Sequence, residues 1–178
     1  MSKSLGIAQL GSEIIRSKAS VVTDIKSKKV QDFIDDLLYT CKEQKGMGIA
    51  ATQVYETKAI FIVSSNPNER YPNAPVMEPE VIINPKIVSH SNEISKEWEG
   101  CLSLPGIRAL VPRYQSIEVS YTNRLGETIN TKYDGFLARI FQHEFDHLNG
   151  TVFIDRVDTT RDVVMEVEYQ KIIKQETT

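Results

Sequence analysis

Apolar residues recur at three- and four-residue steps from Thr23 to Lys45: Ile25, Val30, Phe33, Ile34, Leu37, Leu38 and Cys41. That spacing predicts an amphipathic helix capped by Thr23 or Asp24, with Cys41 on the apolar stripe as a small buried hydrophobe. A shorter helical stretch is expected around Ser12–Arg16. Lys58–Ser64 is an apolar run that predicts a buried strand. Ser65–Pro79 holds Pro67, Pro72, Pro75 and Pro79 and predicts a loop. Short strands are expected at Val81–Ile83 and Ile87–Ser89 around Asn84-Pro85, followed by His90 in a polar loop. Alternation with period two then sets in, with Ile117, Val119 and Tyr121 answering Ile129, Thr131 and Tyr133 across the turn Asn123–Gly126. This predicts a β-hairpin. Phe136–Leu148 returns to helical spacing, and Gly150 is placed to end that helix. Thr151–Asp155 should be extended, and Thr160–Gln175 should close the chain as an amphipathic helix.

Composition narrows this picture. The 178 residues suit one domain, 1–178, with a sizeable core. A net charge of −3 argues against a general attraction to DNA or anionic lipid. No apolar run is long enough to span a bilayer, and the first residues lack the apolar centre of a signal peptide. A cytoplasmic protein is expected, in which Cys41 and Cys101 stay unpaired.

The chemistry concentrates at Gln142–Gly150, where His143 and His147 stand four apart with Glu144 beside the first. On a helix both imidazoles share a face and reach one metal ion, while Glu144 can move a proton to or from water there. Cys101, in Glu99-Gly100-Cys101-Leu102-Ser103 on a loop turning at Pro105-Gly106, is a candidate third ligand that leaves a fourth position open. The alternative for Cys101 is a structural buried thiol. Gly46–Gln53, two glycines and two alanines leading to one amide, suits the floor of a substrate groove, although a glycine-rich turn before a strand is ordinary.

Together these stretches resemble the three signature motifs of the peptide deformylase family. Gly46–Gln53 fits Gly-x-Gly-Leu-Ala-Ala-x-Gln with Ile49 in place of leucine, Glu99–Ser103 fits Glu-Gly-Cys-Leu-Ser, and Gln142–Gly150 fits Gln-His-Glu-x-Asp-His-Leu-x-Gly. The resemblance implies an α+β fold, with antiparallel β-sheets packed around a central helix carrying the third motif and a C-terminal helix. It implies removal of the formyl group from N-formylmethionyl nascent peptides in a bacterial or organellar setting. Cys101, His143 and His147 would hold Fe²⁺, with Zn²⁺, Ni²⁺ or Co²⁺ able to replace it, and Glu144 would serve as general base and then acid. The Gln53 amide and the Leu102 backbone N–H would meet the developing oxyanion. Backbone at Gly48, Ile49 and Gly100 would pair with the peptide, Ile140 and His143 with Phe136 would line an apolar methionine pocket, and Arg108 would meet the peptide farther out, the alternative being a solvated arginine. Asp146 and Gln142 would orient the ligands, the alternative for Asp146 being a helix-capping or surface role. The Ile49 departure is expected to touch little beyond groove shape. A transient ribosome contact through the C-terminal helix is weakened by its mixed charges.

Two other functions share some of these residues. A zinc endopeptidase uses His-Glu-x-x-His, but its three-histidine form needs histidine where Phe153 stands. A binding protein with a lost active site would have no need of intact Glu144, Gln53 and Cys101.

Overall fold

The computed structural model describes residues 2–67 and 71–176. Asn68, Glu69 and Arg70, within the expected proline-rich loop, lie outside them. Helix α1 spans Lys28–Glu43, β1 Gly48–Ala50, β2 Ile60–Ser65, β3 Met77–His90, β4 Ile94–Cys101 and β5 Leu104–Tyr114. Strands β6 (Ser116–Thr122) and β7 (Thr128–Asp134) lead into α2 (Gly135–Leu148), then β8 (Val163–Met165) and α3 (Glu166–Glu176). One antiparallel sheet has the order β1-β2-β3-β6-β7 and a second has β4-β5-β8. The architecture is therefore α+β, with α2 central and a C-terminal helix, as expected.

Burial explains the patterns. On β2, Phe61 and Val63 face α2, where Phe61 meets Phe141 edge-on at 5.0 Å. Ile60 and Ile62 face the other way, against Ile34 and Leu37 of α1. A strand buried on both faces reads as a continuous apolar run. The second sheet packs Leu104, Ala109 and Val111 on Ala8, Ile15, Val152 and Phe153. The β6–β7 hairpin pairs in the expected register, Ile117 with Tyr133 and Tyr121 with Ile129.

Several boundaries differ from expectation. Helix α1 starts at its Ser27 cap, whose hydroxyl accepts from Val30 N–H, so neither Thr23 nor Asp24 caps it. The two short strands around Asn84-Pro85 are one strand, β3. Asn84 takes φ +51°, the pairing with β6 shifts there, and the Asn84 side chain bonds the Val22 backbone in both directions. Strand β3 also reaches back to Met77, inside the expected loop. Pro79 is tolerated there because pairing with β6 begins only at Ile83. His90 ends β3 and stacks on Tyr114 at 3.6 Å instead of lying in a loop.

The Cys101 stretch is the largest revision. It is a β4–β5 hairpin that turns at Leu102-Ser103, and Pro105-Gly106 lies within β5. Thr151–Asp155 is not wholly extended, because Phe153–Arg156 forms a 3₁₀ turn. The closing helix is shorter than its pattern. β-Branched Val163 and Val164 pair with Ala109 and Arg108 as β8, and helix begins only at Glu166. The helical stretch near Ser12 is one 3₁₀ turn, Glu13–Arg16.

Candidate active site

Helix α2 places His143 and His147 on one face, and the β4–β5 turn brings Cys101 to them. The ligand atoms of Cys101, His143 and His147 all lie within 4.8 Å of one another. His147 Nε2 is 3.3 Å from Cys101 Sγ. Donors about 2.0–2.3 Å from a tetrahedral ion sit at such separations. Glu99 Oε2 accepts from His143 Nδ1 at 2.9 Å, which leaves Nε2 for a ligand. One sulfur and two imidazoles, with Cys101 and His143 lining a cavity and His147 buried behind them, form the donor set of an open metal site, so these residues fit a divalent cation. Burial works against charge on both rings. For His143 the hydrogen bonds to Cys101 and Glu99 prevail and hold its pKa well above the usual range. For His147, burial with His143 and Arg113 nearby pushes it well below. A neutral imidazole is the form that binds metal, so His147 is in that form already and His143 would release its Nε2 proton on binding an ion. Phe153, at the position a third histidine would need, is buried with its ring 6.0 Å from that of His143.

Glu144 is 4% exposed, and among the described residues its Oε2 has no hydrogen-bond partner. Burial raises its pKa to about 7, against the opposing charge of His143. A carboxyl poised near neutrality suits a proton carrier. Gly48 makes room for it, since a Cβ there would lie 2.5 Å from Glu144 Oε1. Gln53 sits on a 3₁₀ turn, Ala51–Val54, directly after β1. Its Oε1 accepts from Ala50 N–H at 2.8 Å, which turns Nε2 toward Cys101 Sγ (3.4 Å) and Ser103 Oγ (3.1 Å). The amide thus presents donors beside the ligand cluster.

A cavity of about 500 Å³ opens over this cluster, a volume suited to a short peptide segment. Gly48, Gly100, Leu102 and Arg108 line it, as do Phe136 and Ile140. His143, Glu144, Cys101 and Gln53 form its floor. The side chain of Ile49 does not line it, although the residue's backbone belongs to edge strand β1. Its side chain is fully buried in the cluster of α1 and β2, so the replacement of leucine lies in the core and not in the groove. The groove runs between two sheet edges: β1 ends the order of the larger sheet and β4 that of the smaller. Edge backbone is available to pair with an extended peptide.

The groups that hold His143 were not legible in the sequence. Buried Glu99 accepts from Arg113 Nε (2.9 Å) and Arg139 Nη1 (2.8 Å) as well as from His143. The charge of Arg113 and these hydrogen bonds outweigh burial and hold the Glu99 carboxyl far below the usual range. Asp146, 4% exposed, accepts from Arg113 and Arg156 and so acts on His143 only through Arg113 and Glu99. Gln142 bonds the Tyr114 backbone in both directions and ties α2 to β5 without touching a ligand. The role of Ser103, which holds the Gln53 amide, was not legible either, although Glu99 and Ser103 both stand inside the second motif. Cys41 is buried and does not line the cavity, and its thiol pKa is pushed up to about 12, chiefly by burial and further by the charge of nearby Glu144.

Comparison with known proteins bears on the same residues. A family model described as polypeptide deformylase matches residues 4–163. A protein named peptide deformylase 2 from Nostoc sp. is 53% identical over 97% of both chains. Another of that name from Shewanella oneidensis is 44% identical, covering 93% of this chain and 91% of the relative. A solved class I type b peptide deformylase from Acinetobacter baumannii with Met-Ala-Ser bound superposes with a TM-score of 0.86 at 42% identity. That match covers 88% of this chain and all of the other.

Proposed function

The chain belongs to the peptide deformylase family, and from that membership we propose how its residues carry out the reaction. It is a metal-dependent hydrolase that removes the N-formyl group from the formylmethionine of newly made polypeptides and releases formate. The observation that carries this is the meeting of all three motifs at one cavity, with Cys101, His143 and His147 as ligand set and Glu144 and Gln53 beside them.

Cys101, His143 and His147 would hold the ion, which when bound would supply Lewis acidity to activate water near neutral pH. Glu144 takes the proton from the attacking water and returns it to the departing amine, a double task that its pKa of about 7 allows. The Gln53 amide, already turned into the cavity, donates to the developing oxyanion, and the Leu102 backbone N–H is the second donor. The peptide lies extended along Gly48 and Ile49 on one side and Gly100 on the other, as a strand added between the two sheet edges. Ile140 and Phe136 receive the methionine side chain. Arg108 meets the peptide farther out.

Fe²⁺ is the working ion in this reading, with Zn²⁺, Ni²⁺ or Co²⁺ able to take its place. The soft thiolate and two imidazoles suit all four. Residues 1–178 act as one catalytic domain in the cytoplasm. No helix among the described residues is long and apolar enough to cross a membrane. Ribosome contact is transient, because Lys171 on α3 is already paired with Glu168.

The test is formate release from formyl-Met-Ala-Ser by protein purified without oxygen, beside Glu144→Ala. Rapid release by the parent, and a loss on the order of 10²–10⁴-fold in the variant, is the expected result. No release from iron-, nickel- or zinc-loaded protein would overturn the assignment.

A further inference from the structure

Arg108 is 6% exposed, yet it lines the groove. Its Nε donates to Glu166 Oε2 at 2.5 Å, and its guanidinium lies 5.4 Å from the centre of the Tyr169 ring. Tyr169 in turn packs edge-on to Trp98 at 5.2 Å. The other Glu166 oxygen accepts from Gln170 at 2.9 Å, so both carboxylate oxygens are held. On its groove side the guanidinium lies over Gly100, where a Cβ would overlap Nη1. An arginine this shielded from water carries its charge at full strength unless an acid stands against it. Glu166 is that acid, and it comes from the first turn of α3, not from any of the three motifs.

We propose that Glu166 is a specificity-determining residue. By neutralising Arg108 at the outer end of the groove, it keeps the enzyme indifferent to the charge of the peptide side chains that follow methionine. An enzyme that must process many different chain starts gains from such indifference. An unpaired arginine there would favour acidic side chains and repel lysine. Glu166 also fixes the guanidinium through Nε, so its Nη donors remain directed at the peptide backbone over Gly100. This inference rests on the deformylase reading.

The experiment compares kcat/KM for formyl-Met-Ala-Glu and formyl-Met-Ala-Lys amides, and for the same charges at the second position, on the metal-loaded enzyme. In the parent the acidic-to-basic ratio should stay within about threefold and move little between about 50 and 500 mM salt. In Glu166→Gln the ratio should rise about tenfold at low salt, the size of one partly screened charge contact, and collapse at high salt. Adding Arg108→Gln to Glu166→Gln should restore the parental ratio. An unchanged ratio in Glu166→Gln, or a parent that already discriminates strongly and salt-dependently, would overturn the proposal while leaving deformylation standing. A parent that releases no formate from any of these peptides would overturn both readings.

Discussion

At Gly48 the absence of a side chain is what lets Glu144 stand in the site, because a methyl group would press on its Oε1, Cδ and Cγ together. Gly48→Ala should therefore lower kcat by about 10²-fold by displacing the proton carrier, at the low end of what general acid–base catalysis contributes. Metal content should remain unchanged, since the atoms nearest to the added methyl all belong to Glu144. Elemental analysis beside turnover separates the two. Glu144 itself carries a stability cost in the metal-free protein. Its carboxyl ionises near 4.5 when exposed and near 7 when folded. Below pH 4 both states are protonated and the residue is neutral in the balance. As pH rises through that window only the unfolded chain loses its proton, so folding weakens, and the penalty levels off above pH 7 at about 3 kcal/mol. Glu144→Gln should then be the more stable metal-free protein at pH 8, with the difference gone by about pH 4 in denaturant titrations.

At the scale of elements, the segment before α1 binds the motifs from behind. Ala8 N–H donates to Gln53 C=O, and Leu10 N–H donates to Ser103 C=O. Ala19 N–H donates to Leu148 C=O, Arg16 reaches the Gly150 carbonyl, and Arg16 also pairs with Asp155. Gly150, at φ +69°, is the glycine that ends α2, and a side chain there would run into the Arg16 backbone. Removing residues 2–10 should lower both thermal stability and kcat, because it unties the first motif from the second. A truncated enzyme of parental kcat would show that the segment only covers the core. The two open sheet edges make a separate prediction. N-methylation of a peptide amide that pairs with β1 should lower kcat/KM about fivefold or more, the worth of one hydrogen bond with its unmatched partner.

For the molecule as a whole, the proposed ligands are held by a charge network that joins β4 and β5 of the smaller sheet to α2 and to the 3₁₀ turn after it. Arg113 of β5 grips Glu99 of β4 and Asp146 of α2, Arg139 joins Glu99 from α2, and Arg156 closes on Asp146. Arg113 is 5% exposed, so its removal leaves buried carboxylates short of charge. Arg113→Ala should cost about 3–5 kcal/mol of stability in denaturant titrations. It should also weaken metal binding about 10–100-fold in chelator competition, because Glu99 no longer fixes the His143 ring.

The sequence by itself determined the chemistry and much of the frame. His143, Glu144 and His147 were legible because a helix returns to the same face every fourth residue. The β6–β7 hairpin and α2 were legible because each buries one face and shows one clear period. The β4–β5 hairpin around Cys101 was not, because its inward positions include Glu99, Arg108 and Arg113, which read as solvent-facing polar residues until their partners are seen. Strand β8 hid inside a helical pattern because pairing with β5 outweighed local spacing over three residues. Glu166, Glu99 and Ser103 could be given roles only by the tertiary structure. A buried charge or hydroxyl is satisfied by a partner far along the chain, 58 residues away for Arg108 and Glu166, and no local pattern carries that distance.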